Sequence, residues 1–99
     1  MIYFDKEKTK QVNINSDKDG VYRLMGDDTY YVFGNSKIVA GDNVTIHSYD
    51  ESEIHAWDNA IVYAYNNSGV DGHDDSTVYV FNNIEVYAYA DSKIIDKRG

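Results

Sequence analysis

Cysteine and proline are both absent from this 99-residue chain, and tryptophan occurs only once. Without cysteine, neither a disulfide framework nor a thiolate metal site is possible, and a reducing cytosol is the easier expectation. Without proline, every backbone N–H after the first residue stays available for hydrogen bonding between strands. No apolar run approaches the length of a signal-peptide core or a membrane span, so we expect a soluble, cytoplasmic protein with no membrane association.

Basic residues are missing from the middle of the chain, because no Lys or Arg occurs between Ile38 and Ser92. The same stretch holds ten acids: Asp42, Asp50, Glu51, Glu53, Asp58, Asp71, Asp74, Asp75, Glu85 and Asp91. Such a block repels nucleic acids and phospholipid surfaces and attracts basic surfaces, so direct nucleic-acid binding is not expected. A simpler interpretation stays open, in which these acids serve solubility and turn formation.

The chain has an internal repeat of eight residues that runs without insertion from Gly20 to Gly99. The ten octads read GVYRLMGD, DTYYVFGN, SKIVAGDN, VTIHSYDE, SEIHAWDN, AIVYAYNN, SGVDGHDD, STVYVFNN, IEVYAYAD and SKIIDKRG. Residues 1–19 fit the repeat poorly. We therefore predict an N-terminal cap over residues 1–19 and a repeat domain over residues 20–99.

Each octad alternates compact apolar residues at odd positions with large amphipathic residues at even positions. The third position is Val or Ile in the last eight octads, and the fifth is mostly Ala, Gly, Ser or Val. Alternation with a period of two predicts a β-strand. The Asp, Asn and Gly residues that close each octad predict a turn. The fold class is therefore all-β, a parallel β-solenoid with Val, Ile and Ala inside and Tyr, His and Trp outside.

The number of octads in one coil is predicted from self-comparison of the sequence. A shift of sixteen residues gives more identities than shifts of eight or twenty-four, which favours a flattened coil of two octads and about five coils. A triangular coil of three octads is the alternative, and it would place Ala40, Ala64 and Ala88 in one inner row.

The core stretch SEIHAWDNAIVYAYNN…STVYVFNNIEVYAYADSKI resembles octapeptide-repeat proteins of phages and bacteria, whose units read like A-x-V-x-A-[YW]-[DG]-[NS]. The resemblance spans about eight octads and implies a β-solenoid encoded by a phage or a bacterium. It implies no active site. The octad that begins at Ser68, with Gly69 and Gly72, departs from the pattern.

Three sets of candidate site residues follow from the outward positions of the octads. The acidic set for partner binding is Asp42, Asp50, Glu51, Glu53, Asp58, Asp74, Asp75, Glu85 and Asp91. The aromatic set is Tyr31, Phe33, His47, Tyr49, Trp57, Tyr63, Tyr65, Tyr79, Phe81, Tyr87 and Tyr89. His55, Asp71 and His73 are weak metal-ligand candidates that would cluster in a two-octad coil, although outward polar residues in aromatic slots explain them more simply.

No catalytic residue and no cofactor are expected, because the chain lacks a nucleophile elbow, a phosphate loop and a cysteine nucleophile. The leading hypothesis is a non-enzymatic inhibitor, encoded by a phage or a mobile element, in the cytoplasm of a bacterial host. It would be similar in role to an anti-CRISPR protein and would block a basic, nucleic-acid-handling host protein. Its aromatic face would support a homodimer. The alternative is a structural or adhesive module that binds glycans through Tyr49, Trp57, Tyr65 and Tyr89.

Overall fold

The computed structural model describes residues 1–82 and 84–97 as an all-β solenoid. Residues 83, 98 and 99, which the predicted repeat domain includes, lie outside the described residues. The strands are β1 (Ile2–Tyr3), β2 (Val21–Leu24), β3 (Thr29–Val32), β4 (Lys37–Ala40), β5 (Thr45–Ser48), β6 (Glu53–Ala56), β7 (Ile61–Ala64), β8 (Gly69–Gly72), β9 (Thr77–Val80), β10 (Val86–Ala88) and β11 (Lys93–Asp96). In the described part of the chain, no helix is long and apolar enough to cross a bilayer.

The strands form two sheets in which alternate octads stack on one another. The six-stranded sheet has the order β1-β3-β5-β7-β9-β11, and the five-stranded sheet has the order β10-β8-β6-β4-β2. From β2 onward all neighbours are parallel, and their register advances by sixteen residues, as in the pairs Ile38↔Ile54 and Val62↔Val78. The prediction of two octads in each of about five coils is confirmed.

The core lies between the two sheets and consists of the odd positions of the octads. Ile38, Ile46, Ile54 and Val62 are completely buried, whereas the outward residues between them are partly exposed. Because successive strand side chains point to opposite faces, the compact residues meet inside and the rings stay outside. The inward and outward assignment from the sequence is therefore correct in the middle coils.

Serines at the first position of several octads close the turns, and Ser52 and Ser68 among them are buried. The Oγ atoms of Ser36, Ser52 and Ser68 each donate a hydrogen bond to the carbonyl oxygen three residues earlier, over 3.1, 2.8 and 2.8 Å. This bond satisfies a hydroxyl that would otherwise be costly to bury. Serine at this position is thus a structural part of the turn.

The two ends of the solenoid differ. At the N-terminal end, β1 runs antiparallel to β3 and places Ile2 and Val12 in the core. At the other end, Ile94 occupies the same octad position as Ile46, yet its exposed fraction is 42% against 0%. The N-terminal segment thus pairs with the free side of β3, which is the first strand of the repeat in this sheet. The last coil, in contrast, leaves residues of the inner row exposed.

Candidate functional site

One edge of the solenoid carries a row of acids, which we call the acidic edge. It consists of the turns that lead from the five-stranded to the six-stranded sheet. Its members, all exposed, are Asp27, Asp28, Asp42, Asp58, Asp74, Asp75 and Asp91. Five coils at a spacing of about 4.8 Å spread these seven carboxylates over roughly 19 Å.

Hydrogen bonds between successive coils hold the acidic edge in place. The carboxylate of Asp42 accepts from the backbone N–H of Gly26 over 3.1 Å, that of Asp58 from Asp42 over 3.1 Å, and that of Asp74 from Asp58 over 3.3 Å. These three Asp residues also have φ between 51° and 56°, in the left-handed region that Asp and Asn tolerate. Each therefore has a role in folding.

The opposite edge makes the same turns with largely uncharged side chains. There Asn66 Oδ1 accepts from the N–H of Asp50 over 2.9 Å, and Asn82 Oδ1 accepts from Asn66 over 2.6 Å. Asn66 is also left-handed, with φ of 60°. An amide oxygen is thus sufficient for the turn. The negative charge of the acidic edge is not required by the hydrogen bonds that its side chains make.

A second group of acids surrounds a shallow cavity of about 320 Å³ on the five-stranded sheet, which we call the acidic concavity. Its acidic lining consists of Glu51, Glu53, Asp71 and Glu85. The cavity opens at Gly69, where no side chain fills the outward position between the flanking strands. The irregular octad noted in the sequence therefore produces a local depression.

The three metal-ligand candidates lie in two different rows of stacked side chains: His55 and Asp71 share one row, and His73 lies in the other. His55 Nδ1 lies 3.2 Å from Asp71 Oδ2 and its Nε2 lies 3.1 Å from Glu53 Oε1. His73 instead stacks between Trp57, at 3.8 Å, and Tyr89, at 5.0 Å between ring centroids. Among residues 1–82 and 84–97, no three His, Asp or Glu side chains are grouped so as to hold a metal ion.

The predicted aromatic rows form two stacked columns on the six-stranded sheet. In one column Tyr31, His47, Tyr63 and Tyr79 follow one another at 4.5, 4.7 and 4.8 Å between ring centroids. In the other, Phe33, Tyr49, Tyr65 and Phe81 are 4.8, 4.9 and 4.7 Å apart. The planes within each column are within 13° of parallel. Each inner ring therefore presents its edge to the surroundings, because both of its faces are covered.

The remaining members of the predicted aromatic set lie elsewhere. Trp57, Tyr87 and Tyr89 come from octads of the five-stranded sheet, so the eleven residues do not form one surface. The four residues proposed for glycan stacking are divided in the same way. Because sugars stack on exposed ring faces, the covered faces of Tyr49 and Tyr65 leave no platform at those two positions.

His47 has an altered ionisation because it lies inside its column. Burial between Tyr31 and Tyr63 lowers the pKa of His47 below its usual 6.5, and the nearby Lys6 lowers it further. As the pH falls, the unfolded chain therefore takes up a proton on this imidazole near pH 6.5, before the folded chain does. The contribution of His47 to stability is fully present above that pH and is lost as the pH falls toward the folded-state pKa.

We expect His47→Tyr to remove this component of acid sensitivity, since tyrosine continues the column without a titratable imidazole. The melting temperature of the variant should exceed that of the wild type by more at about pH 5 than at neutral pH. Thermal unfolding at both pH values measures the difference. An equal difference at the two pH values would contradict the assignment.

Sequence reasoning did not group the acids by edge. Asp27, Asp28 and Asp71 are absent from the predicted partner-binding set, although all three belong to acidic surfaces. The signal was available in the octads, because acids at the seventh and eighth positions of alternate octads fall on one edge. Neither a family model, nor a curated protein, nor a solved structure matches this chain.

Proposed function

We propose that the protein is a non-enzymatic interaction protein whose acidic edge binds the basic surface of a protein that handles nucleic acids. The observation that carries this proposal is the use of Asp on one edge where Asn makes the equivalent turn on the other. The requirements of the turn explain why these side chains carry an oxygen, but they do not explain why that oxygen is charged. A role of the charge in binding a basic surface supplies the missing explanation.

The charge density of the edge fits a groove that holds one nucleic-acid strand. Each strand of duplex DNA carries one charge per ~3.4 Å of axis, so ~19 Å of a strand presents about six. The acidic edge presents seven carboxylates over a similar length, which is close to that number. No Lys or Arg between Ile38 and Ser92 offsets them. A row of this kind would compete with a phosphate backbone for the same cationic groove.

The resemblance to phage and bacterial octapeptide-repeat proteins narrows the proposal to an inhibitor of a bacterial defence nuclease, encoded by a phage and acting in the host cytoplasm. A CRISPR effector has the required property, since it holds its guide and target strands in a positively charged channel. The inhibitor would occupy that channel and block target binding without any chemical step.

Asp42, Asp58 and Asp74 form a ladder, because each carboxylate accepts a hydrogen bond from the preceding coil. Replacing these three residues by asparagine removes their negative charge and keeps the oxygen that the turn requires. We expect Asp42→Asn/Asp58→Asn/Asp74→Asn to weaken binding to the target nuclease at least tenfold, or about 1.4 kcal/mol. The melting temperature should change little, because Asn66 shows that an amide supports this turn. The assay measures displacement of fluorescent duplex DNA from purified CRISPR effector complexes, at low and at raised ionic strength.

A single Asp50→Asn replacement on the opposite edge is the control, because Asp50 makes the same type of ladder bond to Gly34. It should bind the nuclease as the wild type does. If the triple variant and the wild type displaced DNA equally, or if the wild type displaced none from any effector, the proposal would be overturned.

A further inference from the structure

The strands of the five-stranded sheet carry basic residues on the outward face at one end, beside Asp17 and Asp19 of the N-terminal segment, and acidic residues at the other end. Arg23 on β2 and Lys37 on β4 lie in the first two coils. Glu53, Asp71 and Glu85, which line the acidic concavity, lie in the next three coils. Each coil adds one strand to this sheet, in register with the strand before it. Residues that are early in the sequence therefore lie at one end of the solenoid axis, and later residues lie at the other end.

This face and the turn residues that directly follow its strands also expose most of the large apolar side chains found outside the terminal segments. Met25, Trp57, Tyr87 and Tyr89 are 49, 40, 53 and 50% exposed. The eight rings on the six-stranded sheet are all only partly exposed, because their columns cover them. Exposed aromatic residues beside charges of both signs are typical of protein interfaces.

We propose that this face binds a second copy of the chain, with the two copies related by a two-fold axis parallel to the strands. Such an axis reverses the order of the coils. It therefore places Arg23 and Lys37 of each copy opposite the acidic concavity of the other. A two-fold axis along the solenoid would instead place like charges opposite each other, which is unfavourable.

The shape of the face agrees with this arrangement. The gap at Gly69 leaves room for a long side chain among Glu53, Asp71 and Glu85, and Lys37 has the reach and the charge to enter it. Arg23 makes only a loose contact with Asp17, over 3.6 Å, and its side chain is 62% exposed. Lys37 is exposed as well, so both basic side chains can be reached by a partner, with Asp17 and Asp19 beside them.

The proposed symmetry also determines where the two acidic edges lie in the dimer. An axis parallel to the strands keeps the carboxyl ends of all five-stranded-sheet strands on the same side of the dimer. The two rows of carboxylates would then run in opposite directions along one side. The dimer does not depend on the proposed target, since its charged contacts lie on the sheet face and involve none of the aspartates of the acidic edge.

Charge reversal in two complementary variants tests the dimer by sedimentation equilibrium. We expect Arg23→Glu/Lys37→Glu alone to weaken self-association at least tenfold, because acids would then face acids. Glu53→Lys/Glu85→Lys alone should do the same. An equimolar mixture of the two variants should form a heterodimer, since the acids introduced in one variant then face the two lysines introduced in the other. Of Glu53, Asp71 and Glu85, only Asp71 stays unchanged.

The mixture also separates a lost contact from a misfolded chain, because a misfolded variant would not recover by mixing. The Asp42→Asn/Asp58→Asn/Asp74→Asn variant serves as the control and should dimerise as the wild type does. A wild type that stays monomeric at millimolar concentration would overturn the proposal. So would a dimer that survives both reversals but is lost on Tyr63→Glu, which lies on the opposite sheet.

Discussion

Ile54→Ala is expected to lower the free energy of unfolding by about 2–5 kcal/mol, the range for removing a large aliphatic side chain from a packed core. Ile54 is completely buried and stacks in register with Ile38 on one side and Val70 on the other. A rigid stack of coils has little freedom to close the cavity, because each strand is hydrogen-bonded to both neighbours. Urea denaturation followed by circular dichroism measures the change.

Ile94→Ala is the matched control for this substitution, because it has the same residue type at the same octad position. Ile94 lies on the last coil and is 42% exposed, so less apolar surface returns to water when it is truncated. We expect a loss well below that of Ile54→Ala. If the two losses were equal, the end of the solenoid would be covered by another surface in solution.

Ala90→Asn is expected to stabilise the protein by about 1–2 kcal/mol, which is a large gain for an exposed position. Ala90 has φ of 56° and occupies the octad position that Asp74 and Asp58 occupy in the preceding coils of the same sheet. Alanine pays the steric cost of a left-handed backbone, whereas asparagine tolerates it. Asparagine also supplies an oxygen that can accept from the N–H of Asp74 and extend the ladder by one coil.

Ala90→Gly separates the two contributions, because glycine relieves the backbone and offers no side-chain acceptor. We expect its stability to lie between those of the wild type and Ala90→Asn in thermal unfolding. An asparagine variant less stable than the wild type would contradict the interpretation of position seven as the turn residue of the ladder.

The period of eight and the alternation within each octad were sufficient to predict the strands, the inner rows and the two-octad coil. Val62 and Ile54 could be placed inside, and Tyr63 and His55 outside, because a strand has a side-chain period of two and a buried row must be compact. The stacking of Tyr31, His47, Tyr63 and Tyr79 followed from the sixteen-residue register alone.

The sequence by itself therefore determined the architecture, because a repeat makes every contact between coils a contact at a fixed separation in sequence. Only the tertiary structure decided where that regularity ends. The antiparallel pairing of β1 with β3, the cavity at Gly69 and the exposed inner residues of the last coil have no counterpart in the repeat. These features arise where a coil has no neighbouring coil to cover it or where a side chain is missing. The octad pattern describes a coil between two similar neighbours, so it does not describe these places.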